Sequence, residues 1–412
     1  MRRPLRRRSA RDAEPGTGSR GPANGGGEAD VTAKALSSVL AGIVARLIEV
    51  EVDVAGGLPN FAIVGLPGGA VRESKDRVRA ALRNSGFPPP DRKITVNLAP
   101  AHLRKEGAAF DLAIAVALLA ADEKIPGQSL ERTLIAGELS LDGNLKPLHG
   151  ALPAALAAKR AGLRRVIVPS QNVQEAGLVA GIEAIGLGAL KDVVEVLRGA
   201  AAAERVRVDP RALLAKAPGH DVDFSDVRGQ LAAKRALEIA AAGGHNALLV
   251  GPPGSGKTML ARRLPTILPE LTLDEALETT SIYSVAGLLG ERPLVTERPF
   301  RAPHHTASDA ALVGGGRLVR PGEVSLAHHG VLFLDELPEF GVGALEALRQ
   351  PLEERQTVVA RVSGCHAYPA SAIVVCAMNP WRRVAFPPRS YRRKGGGRPR
   401  SGCRRRRRRF VR

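Results

Sequence analysis

A short glycine-rich segment near the middle of the chain places the strongest constraint on its fold. Residues 251–258 read GPPGSGKT and match the pattern GxxxxGK followed by Ser or Thr, which forms a loop around phosphate groups. The apolar residues 247–250 before it predict a strand, and residues 257–264 predict a helix. A strand, a phosphate loop and a helix in this order predict an α/β core built on a parallel sheet.

Each residue type in this loop has an expected task. Glycines let the backbone approach the phosphates, so that successive N–H groups point at them. Lys257 would reach the β- and γ-phosphates, and Thr258 would bind Mg²⁺. The cofactors predicted are ATP and Mg²⁺, and the predicted binding residues are Gly251, Pro252, Pro253, Gly254, Ser255, Gly256, Lys257 and Thr258. The alternative is a structural glycine turn, which the flanking strand and helix disfavour.

A second motif follows the phosphate loop after about 80 residues, at 331–336. Its sequence, VLFLDE, predicts a buried central strand that ends in two carboxylates. Asp335 would hold Mg²⁺, and Glu336 would orient and deprotonate the attacking water. A third strand, at 372–377, leads to Asn379, which would sense the γ-phosphate or position the water. The alternative for Asn379 is an ordinary turn before a proline.

The formal charge of +19 lies almost entirely at the two ends of the chain. Residues 1–30 contribute +3, residues 381–412 contribute +15, and residues 31–380 carry only +1. A broad basic surface on the middle of the chain is therefore excluded as a nucleic-acid signal. Any DNA contact there must come from a few placed side chains.

Composition divides the chain into five segments. We predict a disordered basic extension at 1–30, an α+β domain at 31–198, a linker at 199–225, the α/β core at 226–380 and an arginine-rich tail at 381–412. The longest apolar stretch, 108–121, is shorter than the ~20 residues that a bilayer span needs, so we expect no membrane partner. Three cysteines without metal-ligand spacing favour a reducing compartment, the cytoplasm.

The segment 31–198 mixes strand and helix patterns. Residues 33–41 predict a helix, residues 45–54 a strand and residues 70–85 a charged helix. Residues 111–121 are rich in alanine and leucine, which predicts a buried helix. Together these patterns predict one α+β domain.

Several longer sequence strings narrow the choice of protein family. They are VEVDVAGGLPNFAIVGLP at 50–67, ITVNLAPAHLRKEGAAFDLAIA at 94–115, GGHNALLVGPPGSGKTMLARRLP at 243–265, FRAPHHTASDAALVGGG at 300–316 and PGEVSLAHHGVLFLDELPEF at 321–340. Over about residues 31–380 the chain resembles the YifB/ComM family of magnesium-chelatase-like AAA+ ATPases. The resemblance implies a bacterial cytoplasmic ATPase that forms a homo-oligomeric ring, a hexamer, and remodels DNA by branch migration during DNA uptake and recombination. The alternatives are a magnesium-chelatase-type or protein-remodelling ATPase subunit, and an inactive truncated fragment.

The resemblance also implies that residues 31–198 adopt a fold similar to the Lon protease catalytic domain. Lon-like enzymes carry a serine after a Lys-Asp-Gly-Pro string and a lysine in a later string. Here Ala109 follows Lys105-Glu106-Gly107-Ala108, whereas Lys146 keeps the lysine. A lysine without a nucleophile cannot hydrolyse a peptide by a covalent route. We therefore expect a pseudo-protease domain with no protease activity.

A predicted hairpin at 357–370 contains the candidate DNA contacts. In helicase-like AAA+ proteins a hairpin at this place faces the ring pore, which makes Arg361 and His366 candidates by resemblance. The alternative is a solvated hairpin. The histidine pairs at 304–305 and 328–329 are weaker candidates for metal ligands. Neighbouring residues point in different directions, and no carboxylate has the sequence spacing of a metal ligand.

The family pattern stops after residue 380. The family continues with a helical lid that carries arginines, whereas residues 381–412 are rich in Arg, Gly and Pro, the products of GC-rich codons read out of frame. We favour a frameshift over a genuine DNA-binding tail, which would bind phosphates by counterion release. Without a lid we expect weak ATP binding and poor hydrolysis, because an arginine finger contributes ~10³–10⁵ in rate.

Overall fold

The structure, a computed structural model, describes residues 31–216, 221–316, 320–361 and 364–380. The predicted basic extension at 1–30 and the arginine-rich tail at 381–412 lie outside the described residues. None of the described helices is both long and apolar enough to cross a lipid bilayer.

The N-terminal region, residues 31–216, alternates strands with helices. Its elements are β1 (Val31–Ala41), β2 (Val44–Ala55), β3 (Asn60–Val64), α1 (Gly69–Asn84), β4 (Lys93–Ala99), α2 (Asp111–Ala121), β5 (Thr133–Ile135), β6 (Glu138–Leu139), β7 (Leu145–Lys146), α3 (Ala151–Arg160), β8 (Arg165–Pro169), α4 (Val173–Ala176), β9 (Glu183–Leu187), α5 (Leu190–Leu197), β10 (Arg205–Val206) and α6 (Pro210–Ala215). Eight of these strands form one mixed sheet in the order β10-β9-β8-β5-β1-β2-β4-β3. The sheet and its helices give the α+β composition that the sequence predicts.

Helix α2 lies at the centre of the first hydrophobic core. All of its residues are buried, which confirms the buried helix predicted at 111–121. A helix that is apolar on every side is stable only inside a core. Its first residue, Asp111, is its one polar residue, and the Asp111 carboxylate accepts a hydrogen bond from Arg77 Nε at 2.7 Å.

Residues 33–41 belong to strand β1, so the helix predicted there is wrong. Strand β1 pairs antiparallel with β2 along its whole length. Ala35 and Ser37 are buried on one face of the strand, whereas Lys34, on the opposite face, is exposed. Alanine, serine and lysine suit a helix locally, but this preference is weak, and pairing with β2 overrides it.

The segment 199–225, expected to be a linker, contains two ordered elements. Strand β10 pairs antiparallel with β9 and so continues the first sheet beyond residue 198. Helix α6 begins after Asp209, whose side chain accepts a hydrogen bond from Arg211 N at 2.9 Å. Leu213 and Leu214 of α6 pack against the core of the N-terminal region.

The C-terminal region, residues 221–380, carries a smaller parallel sheet. Its elements are α7 (Leu231–Gly243), β11 (Ala247–Val250), α8 (Lys257–Arg263), α9 (Leu273–Ala286), β12 (Phe300–Arg301), α10 (Asp309–Val313), β13 (Gly314–Gly315), β14 (Arg320–Pro321), α11 (Glu323–Leu326), β15 (Val331–Leu334), α12 (Val342–Ala347), α13 (Arg349–Glu354), β16 (Gln356–Arg361), β17 (Gly364–Pro369) and β18 (Ile373–Met378). The sheet has the strand order β11-β18-β15-β12, and every pairing in it is parallel. Strands β16 and β17 form the predicted hairpin.

The parallel direction of β11, β18 and β15 brings three strand ends to one edge of this sheet. Val250 pairs with Met378, and Leu334 pairs with Cys376. The segments that follow these strands therefore emerge side by side. In open α/β sheets, ligands bind outside the carboxyl ends of the strands, so this edge is where a site is expected.

Helix α9 connects the two regions. Ser284 Oγ accepts a hydrogen bond from Gly150 N at 3.0 Å and donates one to the buried carboxylate of Glu175. Leu271, Ala276 and Leu294 of the C-terminal region belong to the same buried cluster as the apolar residues of α3. The two regions thus share one hydrophobic cluster.

Candidate functional site

The phosphate loop makes its turn between β11 and α8 with the help of two glycines. Gly254 and Gly256 have φ values of +77° and +84°, in the left-handed region that favours glycine. Gly251 N donates to Met378 O at 3.2 Å, which ties the start of the loop to the neighbouring strand. The loop is therefore a compact turn on the edge of the sheet.

The Lys257 ammonium group lies inside this turn. Its Nζ donates to Gly251 O at 2.9 Å, to Pro252 O at 3.1 Å and to Asn379 Oδ1 at 3.0 Å. The first two acceptors belong to the loop, and the third lies just after β18. The structure thus brings Lys257 and Asn379 together from positions far apart in the sequence.

The two predicted Mg²⁺ ligands are also adjacent. Thr258 Oγ1 donates to Asp335 Oδ2 at 2.8 Å. The other oxygen, Asp335 Oδ1, accepts a hydrogen bond from Glu336 N at 2.9 Å, which fixes the carboxylate plane. Glu336 has a φ of +51°, in the left-handed region, and this sharp turn directs the chain away from the end of β15.

A cleft of about 270 Å³ opens beside Thr258 and Asp335. Its lining residues are Thr258, Arg262, Ala302, Pro303, His304, His305, Phe333, Asp335 and Glu336. His305 Nδ1 lies 3.5 Å from Glu336 Oε2. The sequence-based site did not include Arg262, His304 or His305 as cleft residues. Arg262 could have been found, because it lies one helical turn after Thr258 and so shares its face of α8.

The residues present fit a magnesium nucleotide. Ser255 Oγ is buried in the phosphate loop and has no hydrogen-bond partner among the described residues, so a polar ligand can satisfy it. The Thr258 hydroxyl and the Asp335 carboxylate are hard oxygen donors, the type that Mg²⁺ takes alongside phosphate oxygens. Lys257 supplies the positive charge that phosphates require.

Comparison with known proteins gives two family matches. The family described as Magnesium chelatase, subunit ChlI, matches residues 223–390, and the family described as Subunit ChlI of Mg-chelatase matches residues 50–172. YifB of Escherichia coli is 48% identical over 339 residues, which cover 82% of this chain and 66% of that protein. Competence protein ComM of Haemophilus influenzae is 47% identical over 343 residues, covering 82% and 67%. An uncharacterised protein of Mycobacterium tuberculosis is 49% identical over 350 residues, covering 84% and 69%.

The chain belongs to the YifB/ComM family. This family is related to the magnesium-chelatase AAA+ proteins, as both family matches indicate. A more distant similarity joins the YifB/ComM chain to Lon protease 2 of Bacillus subtilis, at 30% identity over 168 residues, 37% of this chain and 29% of that protein.

The string that would carry a protease nucleophile has an alanine in place of the serine in this YifB/ComM chain. Ala109 offers a methyl group at the serine position, and its carbonyl accepts a hydrogen bond from Gly137 N at 2.9 Å. Lys105 is buried, and its Nζ donates to Gly65 O at 2.9 Å. Burial lowers the pKa of this ammonium. Lys146 is exposed on β7.

One of the two candidate DNA contacts has a partner within the chain. His366 Nδ1 accepts a hydrogen bond from Gly42 N at 3.1 Å, in the turn between β1 and β2. Gly42 has a φ of +68°, and a Cβ there would lie 2.6 Å from Ala367 O. The hairpin therefore touches the N-terminal region at this point. The side chain of Arg361 lies outside the described residues, and DNA contact by either residue stays a prediction.

The histidine pair at 328–329 meets a carboxylate that the sequence did not indicate. Glu278 Oε2 lies 3.2 Å from His328 Nε2 and 3.1 Å from His329 Nε2. His328 Nδ1, however, accepts a hydrogen bond from Ser371 N at 2.9 Å, so in the neutral ring Nε2 carries the proton and cannot bind a metal. Burial lowers the pKa of His328, which favours this neutral ring. The arrangement fits a polar contact between α9 and the turn that joins α11 to β15.

Proposed function

We propose that the edge formed by β11, β15 and β18 binds and hydrolyses ATP. The observation that carries the proposal is the pairing of Lys257 Nζ with Asn379 Oδ1 at 3.0 Å and of Thr258 Oγ1 with Asp335 Oδ2 at 2.8 Å. These pairs bring the phosphate loop, a carboxylate strand end and a polar strand end to one place. Phosphoryl transfer depends mainly on such positioning and on charge stabilisation.

Each residue of the site has a distinct proposed task. Lys257 and the loop N–H groups hold the phosphates, while Thr258 and Asp335 hold Mg²⁺. Bound Mg²⁺ neutralises the charge that develops on the phosphate oxygens. Glu336 accepts the proton of the attacking water, and Asn379 positions that water or the γ-phosphate. Glu336 is suited to proton transfer because its side chain is about half exposed on the cleft and can exchange protons with solvent.

The test measures nucleotide binding and Mg²⁺-dependent phosphate release by the purified chain, at nucleotide concentrations high enough to detect the weak binding and slow turnover expected above. We expect Lys257→Ala to abolish both, because it removes the cation that contacts the loop and Asn379. Lys75→Ala is the matched control, since Lys75 is exposed on α1 in the N-terminal region. Binding that survives in Lys257→Ala, or that is lost equally in Lys75→Ala, would contradict the proposal.

We further propose that ATP turnover drives DNA remodelling by an assembled homo-oligomeric ring in the cytoplasm. The support is membership in a family that includes a competence protein. The near-neutral charge of residues 31–380 means that DNA contacts there depend on a few placed side chains and not on a broad basic surface. The expected result is ATPase activity stimulated by forked or four-way DNA and lost in Lys257→Ala. A ring is checked by light scattering with and without nucleotide. Activity that is indifferent to every DNA substrate would exclude the motor.

The second candidate is a magnesium-chelatase-type ATPase subunit. Both family matches carry the description of the chelatase subunit ChlI, and together they span most of the described chain. In this case ATP hydrolysis would support insertion of Mg²⁺ into a porphyrin. ATPase activity that depends on a porphyrin and partner subunits, without a response to DNA, would select this candidate over the motor.

A further inference from the structure

Gln230 stands immediately before helix α7 in a backbone conformation that glutamine seldom adopts. Its φ is +54°, and the preceding Gly229 has a φ of +70°. A left-handed conformation costs free energy for a residue with a side chain, and it persists only where neighbouring contacts enforce it. Glycine would adopt it at no such cost. We therefore expect the Gln230 side chain to make a contact that offsets the cost of this backbone conformation.

The Gln230 side chain reaches the phosphate loop. Its Nε2 donates to Ser255 O at 2.9 Å, across 25 residues of sequence. On the other side of the same residue, Ser255 N donates to Pro252 O at 3.2 Å. Both peptide groups that flank the Ser255 Cα are thus held, one by the loop itself and one by Gln230.

The hydrogen bond to Ser255 O has a consequence for the next residue. The carbonyl of Ser255 and the N–H of Gly256 belong to one planar trans peptide group, so they point in opposite directions. Holding the carbonyl toward Gln230 therefore holds the Gly256 N–H away from Gln230. Gly256, with its φ of +84°, has no side chain to restrict this peptide, and the hydrogen bond from Gln230 limits the orientations that the peptide can adopt.

We propose that Gln230 is a positioning residue of the phosphate loop. It fixes the Ser255–Gly256 peptide so that the Gly256 N–H is available to the phosphate groups of a nucleotide. The inference deepens the proposed ATP-binding function and rests on it. Gln230 itself touches the loop backbone and not the reacting atoms. Its contribution is to orient a donor in advance, which reduces the ordering cost of binding.

The test compares Gln230→Gly and Gln230→Asn with the unaltered chain. Glycine suits a φ of +54° but has no amide, and asparagine tolerates this φ but is one methylene shorter. We expect both variants to bind MgADP and MgATP about threefold to tenfold more weakly by calorimetry, the effect of losing one hydrogen bond. We expect the melting temperature without nucleotide to stay unchanged or to rise in Gln230→Gly.

A merely structural role would give the opposite pattern. In that case the melting temperature without nucleotide would fall, and affinity would change only as far as the fold is lost. Gln350→Ala is the matched control, because Gln350 donates to Glu354 on the exposed helix α13. Unchanged affinity in both Gln230 variants overturns the inference and leaves the proposed function intact. Absence of nucleotide binding by the unaltered chain overturns the proposed function and this inference with it.

Discussion

Hydrogen bonds hold the Lys257 ammonium in place but do not neutralise its charge. Its three hydrogen-bond acceptors, Gly251 O, Pro252 O and Asn379 Oδ1, are all neutral oxygens. Neutral acceptors fix the position of a cation without cancelling its charge, whereas a carboxylate would do both. The positive charge therefore remains available to phosphate groups. For the proposed phosphate binding, an Asn at position 379 therefore serves better than an Asp.

This difference leads to a prediction for Asn379→Asp. The new carboxylate would lie near Lys257 Nζ, where the Asn379 oxygen is now 3.0 Å away, and would pair with the ammonium. We expect MgATP affinity to fall by about tenfold or more, which corresponds to about 1.4 kcal/mol, measured by calorimetry. Asn379→Ala is the control, since it removes the hydrogen bond and adds no charge, and its affinity should stay closer to wild type. Equal affinities of the two variants would show that charge at this position is unimportant.

The sequence could predict which residues belong to this site, but only some of their contacts. The phosphate loop is a local pattern, and strand-end logic places Asn379 near it although 122 residues separate it from Lys257. The Gln230 contact to Ser255 O has no such signal, because it depends on a left-handed backbone conformation at a non-glycine residue. Glu278 likewise meets His328 only through the packing of α9 beside α11, the helix that ends just before the histidine pair. Contacts that arise from tertiary packing correspond to no fixed residue spacing, so the sequence does not predict them.

Helix α9 makes both polar and apolar contacts with the N-terminal region. Its Ser284 hydroxyl donates to the carboxylate of Glu175, which belongs to α4 in the other region. That carboxylate also accepts a hydrogen bond from Leu152 N at 2.7 Å. Burial raises the pKa of Glu175 above its ordinary value of 4.5, and the hydrogen bonds oppose this shift only in part. The contact between the two regions is therefore sensitive to the protonation of one buried group.

The pKa shift of Glu175 predicts a pH dependence of stability with a definite sign. Because the folded pKa is raised, the stabilisation is fully present below pH 4.5 and is lost as the pH rises through the folded value. We expect the wild type to lose free energy of unfolding relative to Glu175→Gln between pH 4.5 and neutral pH, measured by urea denaturation. The glutamine keeps an oxygen for Leu152 N and Ser284 but carries no charge. Glu195→Gln, on the exposed face of α5, should follow the wild type. A constant difference across this pH range would contradict the assignment.

Strand β1 shows which elements the sequence could not predict. Its composition favours a helix, and nothing within residues 33–41 indicates the partner. The strand forms because β2 lies beside it from the two-residue turn onward, and the two pair over their whole length. Helix α2 was predictable because the ten apolar residues that follow Asp111 are stable only when they are buried inside a core. An element whose own residues determine its structure can be predicted from the sequence, whereas an element that forms only by pairing with another segment cannot.

At the scale of the whole molecule, the two regions are joined by apolar as well as polar contacts. Leu271, Ala276 and Leu294 of the C-terminal region are buried in a cluster that otherwise belongs to α3, β8 and their neighbours. The hairpin adds a further contact through Gly42 and His366. Regions that share a buried cluster lose part of their own core when they separate. Their stabilities are therefore coupled.

This coupling predicts a single cooperative unfolding transition for the protein. We expect one calorimetric peak, and we expect MgADP to raise its midpoint as a whole, because ligand binding stabilises every part that unfolds together. Ala276→Asp places a charge at a fully buried position of the shared cluster and should split the peak into two, of which only one responds to MgADP. Ala232→Asp, on the exposed start of α7, is the matched control and should leave one peak. Two separate peaks in the unaltered protein, with only one shifted by MgADP, would show that the shared cluster does not link the nucleotide site to the N-terminal sheet.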